Sequence, residues 1–206
     1  MDIEYWNDYY TRKTPPKDAS SFAYFLNEHN FIGEGPILDI GCGNGRDSNF
    51  FQVNGNEVYA LDQSVTAISA ATELNPSING LVGNVTDLIS LLDTKVQSVY
   101  SRFSIHSMLI EEQAAFIKDI ANVITSDGVV CIEARTNNDE LCGQGTEGPD
   151  AGSFVTDHYR RFIDAEQLKQ TLIDNGFKIV LFWVDINIAK LGNDNPEVVR
   201  IIARVK

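Results

Sequence analysis

Basic residues are scarce in this 206-residue chain: Lys and Arg number 16 against 29 Asp and Glu, a formal net charge of -13 at pH 7. Nucleic-acid binders need a basic footprint to neutralise phosphates, so that class of partner is excluded, whereas a small anionic ligand is not. Long apolar runs are missing too, and nothing approaches the ~18 residues of a membrane span. The first residues, Met1-Asp2-Ile3-Glu4-Tyr5-Trp6, are polar and acidic, unlike a cleavable leader, and a cytoplasmic protein is expected. Cysteine occurs only at Cys42, Cys131 and Cys142, with neither disulfide nor zinc spacing. Cys42 sits in a glycine-rich turn and Cys131 in an apolar run, as small packing groups would in a reducing compartment. Carboxylates and histidines show no metal-ligand spacing, so no metal is expected. The Gly-Lys-Ser/Thr of a phosphate-binding P-loop is absent. There is no internal repeat, low-complexity tract or composition shift, and residues 1–206 read as a single domain.

What the chain does have is a distinctive stretch at 36–48, Pro-Ile-Leu-Asp-Ile-Gly-Cys-Gly-Asn-Gly-Arg-Asp-Ser. It reads as a short buried strand, Ile37 to Ile40, then a turn with three glycines, then a helix. Gly41, Gly43 and Gly45 permit a tight turn and close backbone approach to a ligand. A dinucleotide fingerprint needs G-x-G-x-x-G, and Arg46 stands where its third glycine would be. Asp39, two residues before the first glycine, would repel a pyrophosphate and suits a ligand carrying an ammonium. A nucleotide-dependent oxidoreductase is therefore disfavoured.

Around this stretch, strands and helices alternate. Tyr5, Trp6, Tyr9 and Tyr10 recur at helical spacing before Pro15-Pro16, and a second helix capped by Asp18 or Ser20 runs to about His29. Helices are expected over Arg46–Asn54, from Ser64 to about Leu74, over Glu111–Thr125 and over Asp164–Asn175. Strands are expected over Glu57–Leu61, at Leu81-Val82, over Val96–Ser101, over Val129–Ala134 after an Asp127-Gly128 turn, and over Phe177–Val184 and Val198–Val205. The last two are joined by a loop and read as an antiparallel hairpin. The whole is an α/β pattern with a doubly wound, mostly parallel sheet. Ligands of such sheets sit at the carboxyl ends of strands, which brings Ser101, Arg102 and His106 near the reacting centre. Asp62, about 20 residues past the glycines, is placed to accept ribose hydroxyls.

The string Asp-x-Gly-x-Gly-x-Gly at 39–45 resembles the first motif of class I S-adenosylmethionine (SAM) dependent methyltransferases. The resemblance runs from about residue 36 to the end and includes the antiparallel last strand. It implies a Rossmann-like seven-stranded sheet with helices on both faces, SAM as methyl donor and S-adenosyl-L-homocysteine as product. The implied cofactor shell is Asp39, Gly41, Cys42, Gly43, Asn44, Gly45, Arg46, Asp62, Gln63, Asn84, Val85, Ser101 and Arg102. Within it Asp62 would take the ribose, Gly83 to Leu88 the adenine, and Arg102 the methionine carboxylate. Asn84 stands where the family usually has Asp and would meet the adenine amino group through its side-chain carbonyl; Asp87 is the alternative. The aromatic helix within 1–34 is similar to the lids of many small methyltransferases, with Trp6 and Tyr10 against the substrate.

Residues 135–163 break the rhythm with a long glycine-rich loop over the expected cleft, of the kind that is usually functional. They carry Arg135, His158, Tyr159, Arg160 and Arg161, the expected substrate shell. The arginines offer forked donors for carboxylate or phosphate, or each pairs with a neighbouring acid among Glu133, Asp139, Asp157 and Asp164. His106, His158 and Arg135 are the catalytic candidates, with Glu133 and Asp139 as further bases for a hydroxyl acceptor. The strings at 101–106, 133–136 and 157–162 are similar to small bacterial methyltransferases of surface-polysaccharide and sugar-phosphate modification. That likeness implies O-methylation of a carbohydrate, glycan precursor or other anionic small molecule. Two other readings stand beside it: methylation of a non-sugar small molecule at N, S or O, and a non-catalytic SAM-binding sensor or partner protein. The sequence leaves oligomeric state open.

Overall fold

A computed structural model describes residues 2–12 and 15–206. In chain order the elements are α1 (Ile3–Arg12), α2 (Ser21–Glu28), β1 (Ile37–Ile40), α3 (Arg46–Val53), β2 (Val58–Asp62), α4 (Val65–Leu74), β3 (Asn79–Val82), α5 (Leu88–Leu91) and β4 (Val96–Arg102). Then follow α6 (Ile110–Val123), β5 (Ile124–Arg135), β6 (Thr146–Glu147), β7 (Ser153–Val155), β8 (Tyr159–Arg161), α7 (Ala165–Asp174), β9 (Phe177–Asp185) and β10 (Val198–Val205). Short polar side chains start several helices. Ser20, Ser64 and Asp164 accept the backbone N–H of Ala23, Ala67 and Gln167, ahead of α2, α4 and α7.

Seven strands form one sheet in the order β3-β2-β1-β4-β5-β10-β9. It is parallel from β3 to β5, and β10 runs antiparallel to both neighbours. The expected closing hairpin is present, with β10 inserted between β5 and the edge strand β9. Alternation along β1 assigns its two faces. Leu38 and Ile40 join the larger core with Phe116, Ile117 and Ile120 of α6 and Leu168 and Leu172 of α7. Ile37 faces the opposite layer with Phe22 and Leu26 of α2 and Phe51 of α3. Asp39 shares that second face by the two-residue period of a strand, which brings its carboxylate beneath α3 rather than into open space.

Two expectations need correction. The Asp127-Gly128 turn lies inside β5, not before it. The pairing of β4 with β5 jumps from Val96↔Ile124 to Ser98↔Val129, so the intervening β5 residues loop out of register while the strand continues. The glycine-rich loop expected over 135–163 contains strands: β6, β7 and β8 make a small antiparallel sheet. Strands of two or three residues are too short for their alternation to be read. The two ends of this insertion are tied where Asn137 N–H donates to Ile163 O at 3.1 Å and Ile163 N–H to Arg135 O at 3.0 Å. Among the described residues, no helix is long and apolar enough to cross a membrane.

Candidate active site

The sheet grows one way from β1 through β2 to β3 and the other way through β4, so its order reverses at β1. A crevice opens at the carboxyl ends of the strands beside such a point. Here a cleft of about 580 Å³, measured to its open mouth, is lined by Trp6, Tyr10, Ile40, Gly41, Leu61, Asp62, Gln63, Gly83, Asn84, Val85, Phe103, Ser104, Ser107 and Met108. Trp6, Tyr10, Gly41, Asp62, Gln63, Asn84 and Val85 were all expected at it.

Asp62 organises the floor. Its Oδ2 accepts the Gly43 N–H at 3.0 Å and its Oδ1 the Ser64 N–H at 2.9 Å. The Gln63 N–H is a third backbone donor to this carboxylate, which keeps acceptor capacity for a ligand hydroxyl. Burial pushes its carboxyl up, against the pull of those N–H groups. Gly43 has φ 56, and a Cβ there would run into the Tyr10 hydroxyl. The missing side chain is thus what lets α1 close over the turn. Burial, with Asp62 and Cys42 nearby, pushes the Tyr10 phenol well above its ordinary range, so it stays protonated.

Asn84 is partly committed: its Oδ1 accepts the Thr86 N–H at 3.1 Å, and its Nδ2 reaches Glu112 Oε1 at 3.4 Å. One lone pair of the carbonyl remains for a ligand. Asp87 is exposed and off the cleft, which removes it as the alternative.

Several expected cofactor residues stand behind the cleft rather than on it. Asp39 is 2 % exposed and accepts the Ser48 hydroxyl at 2.6 Å. Burial holds its carboxyl up at about 8, Asp47 and Asp62 add to the rise, and Ser48 and Arg102 oppose it. Cys42 packs with Ala60, Ile68 and Ile78. Asn44 Nδ2 donates to Pro16 O at 2.9 Å and an Arg46 amine to Asp18 O at 3.2 Å, so both hold the segment before α2. Gly45, with φ 75, is the residue before α3, and a Cβ there would press on Ala71. Ser101 is fully buried and shares a 2.6 Å hydrogen bond with Ser104, which does line the cleft. Arg102 donates through Nε to Glu133 at 2.8 Å and lies over the Phe103 ring, 4.2 Å from its centroid. That contact takes its Nε edge, and Arg102 is not among the residues that line the cleft.

Glu133 is fully buried and also receives Arg200 Nε at 2.7 Å. Closed in by two arginines, it cannot serve as a base. Asp139 is likewise taken by Arg135 at 2.9 Å, and the other Arg135 amine meets Asp194. The catalytic and anion-binding roles expected of Arg135 are therefore corrected to a structural one. Arg161 donates to Gln113 Oε1 and, at 3.4 Å, to Met108 O. The Tyr159 hydroxyl donates to Asp150 at 2.7 Å, and its N–H to Asp2 at 2.7 Å. Both brace the insertion rather than line the cleft.

Three of the expected residues remain, His106, His158 and Arg160, close enough for their charges to act on one another. His106 is 6 % exposed, and its Nδ1 has no hydrogen-bond partner. Burial, then the charges of Arg160 and Arg135, pull it well below its ordinary value, so it is neutral at pH 7. His158, buried against the ring of Tyr5, is lowered by burial and by Arg160. Arg160 meets no carboxylate in an ion pair among the described residues; it lies 3.0 Å from His158 Nε2. It also lines a second cavity of about 420 Å³, with Leu141, Gln144, Phe154, Thr156 and Phe162.

Phe103, Ser104, Ser107 and Met108 escaped the sequence reading. Phe103 has φ 55, costly for a bulky side chain, and is held there by its N–H donating to Glu133 O at 2.9 Å. Such a conformation has no compositional signal; only the position after a central strand's carboxyl end could have pointed to it.

A doubly wound sheet closed by an antiparallel strand, with an acid-floored glycine turn at its switch point, is the Rossmann-like fold of class I methyltransferases. Residues 38–132 match the family model described as a methyltransferase domain. That match covers just under half of the chain, and what the chain resembles over it is a methyltransferase domain. It is 26% identical over 141 residues to a Mycobacterium tuberculosis protein named as a probable SAM-dependent methyltransferase, covering 68% of this chain and 48% of the relative. An uncharacterized methyltransferase of Staphylococcus carnosus is 28% identical over 112 residues, covering 54% of this chain and 53% of that one. The chain spans about half the length of the curated relatives it matches. Among solved structures, a SAM-dependent methyltransferase from Clostridium acetobutylicum superposes with a TM-score of 0.69 at 14% identity, covering 100% of this chain and 92% of that one. The glycopeptide N-methyltransferase MtfA in complex with SAM gives 0.70 at 15% identity, covering 92% and 95%. These likenesses establish the fold, and the cleft lining is of a kind that would fit the donor: a glycine-rich turn, the acid Asp62 and the rings of Trp6 and Tyr10.

Proposed function

We propose that the protein transfers the methyl group of SAM to a hydroxyl oxygen of an anionic small molecule, a carbohydrate or a phosphorylated metabolite. Residues 1–34 serve as its lid and residues 135–163 as its acceptor-binding insertion. The observation that carries this reading is Arg160. Of the insertion's arginines it alone meets no carboxylate or amide oxygen among the described residues, and it stands at a cavity mouth beside two neutral histidines. An arginine left in that state suits a carboxylate or phosphoryl group from outside.

SAM supplies a methyl group on a cationic sulfur. Asp62 and the glycine turn hold its nucleoside, Asn84 and Val85 face the adenine, and Trp6 and Tyr10 exclude water. Orientation in such a cleft is worth about 7–11 kcal/mol at best. His106 and His158 are both uncharged at pH 7, and the unpartnered Nδ1 of His106 is open to a proton, whereas Arg160 lies against Nε2 of His158. The neighbourhood of Arg135 and Arg160 that depresses His106 also disfavours an ammonium acceptor.

The test is methyl incorporation from labelled SAM into a panel of sugar phosphates, sugar acids and neutral sugars. Anionic acceptors are expected to be preferred. Arg160→Gln and His158→Ala are expected to lower turnover, the latter about 10²-fold, while leaving SAM affinity nearly unchanged. Equal labelling of neutral and anionic acceptors, or loss of SAM binding in either variant, would sink the reading.

A further inference from the structure

The hydrogen bonds around His158 determine its tautomer. An Arg160 amine lies 3.0 Å from Nε2. A guanidinium only donates, so Nε2 presents a lone pair and the ring proton sits on Nδ1. That Nδ1–H donates to Asp157 Oδ1 at 2.7 Å. The carboxylate is itself anchored, by the Thr156 hydroxyl at 3.0 Å on Oδ1 and the Tyr5 hydroxyl at 3.1 Å on Oδ2. Tyr5 stacks on the imidazole with centroids 4.4 Å apart, and Trp6 meets it edge-on at 5.2 Å. A carboxylate on one ring nitrogen and a lone pair on the other is the arrangement of an oriented base. Here a cation covers the lone pair.

We propose that Asp157 and His158 form the base of the transfer and that Arg160 is a latch upon it. The acceptor's anionic group draws the guanidinium off Nε2 and leaves the lone pair facing the acceptor hydroxyl. This rests on the methyl-transfer reading above. The acceptor oxygen forms its bond to the methyl carbon as its proton passes to Nε2. The carbon–sulfur electron pair stays on sulfur, so the imidazole ends protonated and the donor leaves as a neutral thioether. An acceptor that lacks the anion finds the base covered, so specificity and proton removal are coupled in one side chain. Arg160 lines the second cavity, which gives the anion its approach.

The charged and titratable groups around the ring are Asp157 and Arg160 on its own segment, Asp2 and Tyr5 at α1, and His106, which its charge reaches from beyond β4. With only three histidines in the chain, nitrogen-15 labelled imidazoles can be assigned by substituting each in turn. In the free protein His158 is expected as the Nδ1–H tautomer, titrating below its ordinary value. Inorganic phosphate or acetate is expected to raise that midpoint by about one pH unit. Arg160→Gln should raise it without either anion and abolish the further response. A response to phosphate alone makes the recognised group phosphoryl, to acetate alone carboxylate, and both support the latch. An Nε2–H tautomer, or a midpoint that neither anion moves, overturns it. Because this readout needs neither SAM nor turnover, a working latch with no methyl incorporation would instead overturn the proposed reaction.

Discussion

Replacing Asp39 by Asn should stabilise the protein at neutral pH and destabilise it in acid. The carboxyl sits on the α3 face of β1 with one hydroxyl donor, Ser48, and two other acids near it. Its folded value of about 8 against 3.8 means that, between those limits, the folded state holds a proton which the unfolded state has released. Stability therefore falls as pH rises through this window. At 1.36 kcal/mol per pH unit the penalty by pH 7 spans about three units, or about 4 kcal/mol. Asn keeps an acceptor for Ser48 and never ionises, but it brings an amide N–H₂ with no ready partner, at a cost of about 1–3 kcal/mol. The net expectation is a gain of about 1–3 kcal/mol at pH 7 and a loss of similar size near pH 4. Urea denaturation of both proteins between pH 4 and 8.5 measures this. A difference that keeps one sign and size across that range would refute the reasoning. Ligand binding gives an independent check. A cationic donor favours ionised Asp39 through the intervening protein, so SAM affinity should rise through pH 8 in the natural protein and stay flat in the variant.

Other substitutions separate cradle from scaffold. Asp62→Ala removes the acceptor for Gly43 and Ser64 as well as the proposed ribose site, and calorimetry should show SAM binding weakened by about 1.5–3 kcal/mol; unchanged affinity would remove Asp62 from the site. Gly43→Ala forces a side chain into φ 56 and against the Tyr10 hydroxyl, so it should cost about 1–2 kcal/mol of stability and loosen α1, seen as faster amide exchange in residues 3–12; exchange unaltered there would mean that Tyr10 does not rest on the turn. Glu133→Gln leaves Arg102 and Arg200 without their shared charge and should destabilise by about 3–5 kcal/mol in denaturation, whereas a catalytic role would have cost turnover alone.

The frame was legible because its signals are local and repeated. Four apolar-flanked residues and three glycines marked β1 and its turn, capping serines marked α2 and α4, and Asp62 stood at a strand end whatever the details of packing. What lay beyond reach depended on partners distant in sequence. Asn44 and Arg46 look like cofactor groups beside their glycines, yet their donors meet Pro16 and Asp18, carbonyls that no spacing rule connects to them. Arg102 and Glu133 each resembled a functional group when read alone. Their pairing exists because β4 and β5 set Arg102 opposite Glu133, and β10 adds Arg200 from the other side.

The insertion shows why charge in a sequence says little about charge in a site. Acids abound there, and each arginine had candidate partners within a few residues. Folding gave Arg135 one of them, Asp139, and a second acid from the β9–β10 loop, and gave Arg161 an amide and a carbonyl. Asp157, the acid nearest Arg160 in sequence, was instead taken by Tyr5, Thr156 and His158. Among the described residues Arg160 is left without an ion-paired acid, in a chain whose net charge is -13. Exposed acids act across only about 8 Å at physiological salt, so the surroundings of Arg160 can stay positive inside an acidic protein. Recognition of an anion here thus has to be a contact event at Arg160, not long-range steering, and a contact that also covers His158 Nε2 is one a substrate can undo.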